Sequence, residues 1–265
     1  MMELNKIYCG DNCDLLGELP RECIDLVVTS PPYDDLRTYG GHTWDFYGVA
    51  WQLKRVLKLG GVIVWVVADA TIKGSETGTS FRQALYFKEI GFNLHDTMIY
   101  SKGAQGGAKG SQYCYTQSFE YMFVLSVGKP RVINLIQDRK SIYYKEGLKK
   151  STMRRPNGDR IPFKVPLKEY GKRTNVWEIR GGYMVGSTDK LSFQHPATFP
   201  EQLATDHILS WSNEGDTVLD PFTGSGTTCK AAKELGRNFL GFEINPEYCK
   251  IAERRIAQEV LDFAS

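Results

Sequence analysis

Apolar positions along this chain follow two alternating rhythms. The runs Ile24-Asp25-Leu26-Val27-Val28 and Val62 to Val67 are short and rich in β-branched residues, and read as buried strands. Phe46, Val49, Ala50, Leu53, Val56 and Leu57 recur at helical spacing, predicting a helix over Phe46–Leu57 that stops at Gly60-Gly61. A second helix is expected over Ser80–Ile90, capped by Thr79 or Ser80 and ended by Gly91. Strands follow at Leu94–Tyr100 and Tyr121–Val127. Further on, Pro200 opens a helix to Trp211. Strand Thr217–Asp220, helix Thr227–Leu235, strand Asn238–Phe242 and a helix from Pro246 then form a complete βαβ unit. The alternation predicts an α/β fold on a parallel sheet.

Composition narrows the class. A chain of 265 residues with 42% hydrophobic and 24% charged residues suits one domain, or one domain with an insertion. At this size folding buries about three quarters of the unfolded surface, so neither disulfide staples nor a structural metal is needed. The N-terminus lacks a basic flank followed by an apolar stretch, and the longest apolar run, Val62 to Ala68, is too short to span a bilayer. Secretion and membrane insertion are not expected. Six cysteines without a CxxC pair fit reduced thiols in a cytoplasm, and Cys9, Cys13 and Cys23 read as small buried hydrophobes rather than metal ligands.

Charge is segregated. Between Arg139 and Arg180 thirteen basic residues face four acidic ones, although the whole chain is only +2. Tyr143, Tyr144, Phe163, Tyr170 and Trp177 are interleaved with them. This is the footprint of a face that meets a polyanion, although a solvated surface gives the same run. The glycine-rich stretch Gly103 to Ser111 fits a linker or a substrate lid equally well.

Two segments carry chemistry. Asp220-Pro221-Phe222-Thr223-Gly224-Ser225-Gly226-Thr227-Thr228 sits at a strand-to-helix turn, where glycines allow close backbone approach and helix amides face a ligand. Glu243 closes the next strand, placed to take both hydroxyls of a ribose. Lacking the third glycine of GxGxxG, the turn suits a nucleoside cofactor better than a dinucleotide. Thr29-Ser30-Pro31-Pro32-Tyr33 ends the first strand. Its prolines donate no N–H, so the Pro31 carbonyl and the Ser30 hydroxyl can accept hydrogen bonds, and Tyr33 offers an aromatic face. Such a set suits a flat ring bearing an exocyclic amine. That amine is a poor nucleophile because its lone pair is delocalised, and two acceptors on its hydrogens favour the reactive sp3 form. Taken alone, SPPY could equally be a Pro-rich turn.

Together, Ser30-Pro31-Pro32-Tyr33 and Asp220-Pro221-Phe222-Thr223-Gly224-Ser225-Gly226 resemble the amino-group DNA methyltransferases of the permuted beta arrangement. The catalytic motif comes first in that family, then the target-recognition region, then the S-adenosylmethionine turn. Gly10-Asp11, Val56 to Gly61 and His195-Pro196-Ala197-Thr198-Phe199-Pro200 extend the likeness over nearly the whole chain. The resemblance implies a Rossmann-like methyltransferase sheet with helices on both faces, built from residues 1–132 and 178–265, and a basic target-recognition insertion over 133–177. It makes Ser30, Pro31, Pro32 and Tyr33 catalytic, with Tyr33 stacked on an extruded base. The cofactor would be S-adenosyl-L-methionine, its turn shaped by Asp220, Pro221, Phe222, Gly224, Ser225, Gly226 and Thr227, with Asp220 near the methionine moiety. Glu243 would take the ribose, Asp11 the adenine and Phe199 with Pro200 the methionine end. Asp11 also reads as a helix-initiating turn, and Pro200 as a plain helix opener. Lys149, Lys150, Arg154, Arg155 and Arg160 would grip DNA phosphates.

The expected activity is methyl transfer to an exocyclic amine of double-stranded DNA. Ser30 in the first motif position leans the resemblance toward N4 of cytosine, with N6 of adenine as the alternative. No Pro-Cys pair is present to support carbon-5 chemistry, and no histidine is given a proton-transfer role. The resemblance allows a homodimer and a cognate restriction endonuclease as partners, in a prokaryotic cytoplasm or encoded by a phage. A nicotinamide-dependent oxidoreductase and a non-catalytic DNA-binding module are the readings from other classes. The first leaves SPPY unexplained, and the second predicts no turnover.

Overall fold

The computed structural model describes residues 2–32, 43–103, 115–141, 148–166, 168–180 and 200–258, with side chains at 148–151 and 163–166 excluded. The elements run β1 (Lys6–Cys9), α1 (Asn12–Glu18), β2 (Ile24–Thr29), α2 (Phe46–Val56), β3 (Leu57–Val67), β4 (Thr71–Ile72), β5 (Ser75–Glu76), α3 (Thr79–Glu89), β6 (Asn93–Ser101) and β7 (Phe119–Ser126). They continue with β8 (Arg139–Lys140), β9 (Leu148–Arg154), β10 (Arg160–Pro166), β11 (Tyr170–Gly171), β12 (Val176–Glu178), α4 (Glu201–Trp211), β13 (Thr217–Asp220), α5 (Thr227–Glu234), β14 (Asn238–Glu243) and α6 (Pro246–Ala257).

One unit comprises residues 1–134 and 175–265. Its eight-stranded sheet has the order β1-β14-β13-β2-β3-β7-β6-β12. All six residues of β2 and the run Gly61–Val67 of β3 are buried, as expected of strands covered on both faces. On the first face Trp65 is fully buried, its indole N–H donating to Gln83 of α3 and its ring edge-on to Phe87. On the other face Met122 of β7 meets His207 of α4. Fully burying one such apolar side chain contributes about 1.5–3 kcal/mol, so this double-sided core orders the strand ends that carry the site.

The sheet is not wholly parallel. β7 runs antiparallel to both β3 and β6. Alternating apolar runs encode burial, which is the same for either strand direction. Gly60 and Gly61 lie inside β3 instead of breaking the chain between helix and strand. A Cβ at Gly60 would come within 2.9 Å of the Arg131 Cβ, and one at Gly61 within 2.9 Å of a Leu57 methyl, so close packing demands the glycines. The α3 cap also differs from expectation. Gly78 is the N-cap, and Asp69 beyond β3 accepts from the Ser80 amide and hydroxyl at 2.9 and 2.5 Å. A carboxylate brought in by the fold thus replaces the local hydroxyl cap.

Cys9, Cys13, Cys23, Cys229 and Cys249 are free thiols. Cys9 is exposed while Cys13 and Cys23 are half-buried, which corrects their reading as buried hydrophobes. Cys9 ends β1, Cys13 lies in the first turn of α1 and Cys23 stands just ahead of β2, where solvent still reaches them. Among the described residues no group of three or more His, Cys, Asp or Glu could hold a metal, and no helix is long and apolar enough to cross a membrane.

A second unit spans Leu135–Thr174. Its main feature is the antiparallel ribbon β9–β10, with Arg154 opposite Arg160 and Lys150 opposite Lys164. The turn between them is closed by Arg155 N–H to the Asp159 carbonyl at 2.8 Å and by Asn157 to the Asp159 carboxylate at 2.8 Å. The short pair β8–β11 and an Arg173–Asp138 ion pair complete the unit.

Candidate active site

The two chemistry-bearing segments leave adjacent strands at the same edge of the sheet. β2 and β13 run parallel, with Leu26 opposite Val218 and Val27 opposite Leu219. β2 continues into Ser30-Pro31-Pro32 and β13 into the Asp220–Gly226 turn. In sheets of this kind ligands bind outside the carboxyl ends of the strands. The Thr29 hydroxyl donates to the Asp220 carboxylate at 2.6 Å, and the Thr228 hydroxyl to the Val28 carbonyl at 3.1 Å.

Asp220 is the electrostatic centre of the turn. It is 1% exposed and accepts from the Thr29 hydroxyl and the Phe222 amide. Burial pushes its carboxyl up to about 6, further raised by Glu243 and opposed by its hydrogen bonds. Glu243 accepts from the Gly224 amide at 2.8 Å through one oxygen and from the Asn245 amide at 2.9 Å through the other. The Asn12 amide secures the Pro221 carbonyl at 3.2 Å. Gly226 caps α5 with φ of 84°, and a Cβ there would sit 2.9 Å from that of Ala252. Only glycine meets both demands.

This set fits a cationic nucleoside better than a phosphate. Two carboxylates line the turn, and the Gly224 amide that could hold a phosphate oxygen is already taken by Glu243. Carboxylates can receive an ammonium, a sulfonium or ribose hydroxyls, whereas a pyrophosphate would be repelled.

The other expected site residues are distributed as follows. Ser225 and Thr227 are buried in the turn, and Phe222 is partly buried. Asp11 is the N-cap of α1, accepting from the Cys13 amide at 2.8 Å and the Asp14 amide at 3.3 Å, so the helix-initiating reading holds for one carboxylate oxygen. Pro200 is the N-cap of α4, its carbonyl accepting from Leu203 and Ala204. Ser30 and Pro31 stand at the end of β2. No donor among the described residues reaches the Pro31 carbonyl, and the Ser30 hydroxyl likewise has no described partner. Tyr33 and Phe199 lie outside the described residues, as do the side chains of Lys149 and Lys150. Arg154, Arg155 and Arg160 are exposed on the ribbon.

Two residues of the site escaped sequence reasoning. Arg255 of α6 is fully buried and donates to the Ser225 carbonyl at 2.6 Å, the Ser225 hydroxyl at 2.9 Å and the Thr227 hydroxyl at 3.2 Å. Its other nitrogen pairs with Glu201 at 2.8 Å, tying the turn to the start of α4. A signal existed: Arg255 follows Ile251 and Ala252 at helical spacing, on the face that buries apolar residues. Trp44 is the second. Its indole N–H donates to the Pro32 carbonyl at 3.1 Å, and its ring lies edge-on to Phe222 with centroids 4.8 Å apart. Nothing in its local pattern marks it.

Residues 24–254 match the N6/N4 DNA methylase family. The orphan methyltransferase M.BamHII of Bacillus amyloliquefaciens is 55% identical over 242 residues, 90% of each chain. The Type II methyltransferase M.BglII of Bacillus subtilis is 32% identical over 271 residues, covering 97% of this chain and 70% of that one. Among solved structures, TTHA0409 of Thermus thermophilus, complexed with S-adenosyl-L-methionine, superposes with a TM-score of 0.61 at 26% identity and 97% coverage of both chains. The cytosine-N4-specific PvuII DNA methyltransferase shares the fold, with a TM-score of 0.67 at 21% identity, covering 96% of this chain and 86% of that one. The chain therefore belongs to the N6/N4 DNA methylase family. It is a DNA methyltransferase whose cofactor is S-adenosyl-L-methionine.

Proposed function

We propose that this enzyme is a site-specific methyltransferase that methylates the exocyclic N4 of a cytosine flipped out of double-stranded DNA. The observation that carries this reading is the Thr29–Asp220 hydrogen bond, because it puts the Ser30-Pro31 acceptors beside the cofactor turn. When bound, S-adenosyl-L-methionine supplies an electrophilic methyl on a sulfonium. The task of the chain is then to hold the amine. The Ser30 hydroxyl and the Pro31 carbonyl accept its two N–H groups, which draws the lone pair out of the ring, and Tyr33 stacks on the base. Asp220 takes the cationic end of the cofactor, Glu243 the ribose and Asp11 the adenine, while Phe199 and Pro200 border the methionine. Ser30 in place of Asp or Asn at the first motif position favours cytosine.

The β9–β10 ribbon is the DNA-binding element of this reading. Arg154 and Arg160 are exposed and stand opposite each other in the register. Such a like-charged pair repels itself unless a polyanion lies against it. A two-stranded ribbon also has the width that the major groove admits. Arg155 at the turn, with Lys149 and Lys150 in β9, adds further phosphate contacts. The Type II names of more distant relatives favour a restriction–modification setting in a bacterial cytoplasm, whereas the 55%-identical relative is named an orphan methyltransferase.

Incubation with S-adenosyl-L-methionine and unmethylated genomic DNA, followed by nucleoside mass spectrometry, tests the proposal. N4-methylcytosine is the expected product. N6-methyladenine would move the target base and overturn the role given to Ser30 in choosing it, and no product on any DNA would overturn the function.

A further inference from the structure

Trp44 stands just ahead of α2, half-buried, and touches both halves of the site. Its indole N–H donates to the Pro32 carbonyl at 3.1 Å, and its ring packs edge-on against Phe222 at 4.8 Å and Phe46 at 5.9 Å. Trp65 lies behind it, 6.2 Å between ring centroids. Pro32 ends the described part of the catalytic segment, and Phe222 belongs to the turn after β13. Among the described residues no other side-chain hydrogen bond reaches the diproline.

A diproline has two carbonyls and no N–H, so both oxygens are potential acceptors for an incoming amine. An amine offered three acceptors, those of Ser30, Pro31 and Pro32, can settle in several orientations. Only the orientation that turns its lone pair toward the methyl donor reacts, and misplacement by about 1 Å can cost a hundredfold in rate. The indole N–H occupies the Pro32 carbonyl, whereas the Pro31 carbonyl has no described protein donor.

We propose that Trp44 is a positioning residue for methyl transfer. By engaging the Pro32 carbonyl it fixes the plane of the loop and leaves Ser30 and Pro31 as the single acceptor pair presented to the substrate amine. Its ring against Phe222 holds that arrangement in register with the cofactor turn. The proposal rests on the reading that Ser30 and Pro31 hold the amine.

The test is to remove the donor while keeping the ring. Trp44→Phe does this approximately, and 3-benzothienylalanine at position 44, which replaces the indole N–H by sulfur, does so with the same ring shape. Both should slow single-turnover methylation of duplex DNA at least tenfold. The dissociation constants for S-adenosyl-L-methionine and DNA, and the melting temperature of the benzothienyl protein, should stay near those of the native enzyme. A benzothienyl enzyme methylating at the native rate, beside an inactive Ser30→Ala variant, overturns the role of Trp44 alone. Loss of cofactor affinity in proportion to rate also overturns it, because Trp44 would then only hold up the cofactor site. A Ser30→Ala variant that methylates at the native rate instead overturns the placement of the amine on which the proposal rests.

Discussion

The Thr29 hydroxyl and the Asp220 carboxylate are 2.6 Å apart, although 191 positions separate them in the chain. Because burial holds the Asp220 carboxyl at about 6 against an ordinary 3.8, the folded state binds its proton more tightly than the unfolded state. The stabilisation this confers is fully present below about pH 3.8 and is lost as pH rises through about 6. Near pH 7.5 it leaves a cost on the order of 3 kcal/mol. Urea unfolding of native enzyme and Asp220→Asn should show the native protein gaining on the variant as pH falls from 7.5 to 4. A constant difference across that range would contradict the assignment.

If Asp220 takes the cationic end of the cofactor, as proposed, it also sets the pH dependence of cofactor binding. An ionised Asp220 attracts a cationic ligand and a protonated one does not, so affinity for S-adenosyl-L-methionine should fall as pH drops through about 6. Thr29→Val removes a hydrogen bond that lowers this value, so the midpoint should move upward. Calorimetric titration between pH 5 and 8 measures both.

Arg255→Met removes a buried cation and leaves the Ser225 carbonyl and hydroxyl without their donor. Losing one partner of a buried, hydrogen-bonded ion pair costs about 3–5 kcal/mol. The lower end is expected here, because Glu201 is partly exposed and also faces Lys230 at 3.5 Å. Arg255→Lys should not restore stability, since one ammonium cannot reach both Glu201 and the turn. Denaturant unfolding reads both variants.

Glu243→Ala removes the acceptor of two backbone amides as well as the proposed ribose ligand. Affinity for S-adenosyl-L-methionine should fall by at least about 1 kcal/mol, measured calorimetrically. Unchanged affinity would refute the ribose placement.

Replacing Arg154 and Arg160 together by Ala should weaken binding to all DNA sequences. If both contact phosphates, the slope of log affinity against log salt should fall by about 2. Affinity measured across a salt series decides it, and an unchanged slope would remove the ribbon from the phosphate contacts.

The chain order already contained the strands that matter most. The apolar runs at Ile24–Val28 and Thr217–Asp220, each closed by proline, and the glycines of the second turn mark where backbone must bend and helix must start. Those features are local, because φ/ψ preferences and periodicity act within a few residues. The candidate chemistry of Ser30, Pro31, Asp220 and Glu243 was legible for the same reason. Arg255, Trp44 and Asp69 were not, because each acts on a segment far away in the chain. Arg255 reaches Ser225 over 30 positions, and Asp69 reaches the start of α3 over 11. Helical period could at best flag Arg255 as a charge on an apolar face. The direction of β7 was equally hidden, since a buried strand shows the same residues either way. By itself, therefore, the sequence determined which segments bury, where they break and which groups can react. Which strand lies beside which, and so which of those groups meet, was decided only by tertiary packing, where many distant contacts compete and no single local preference settles the outcome.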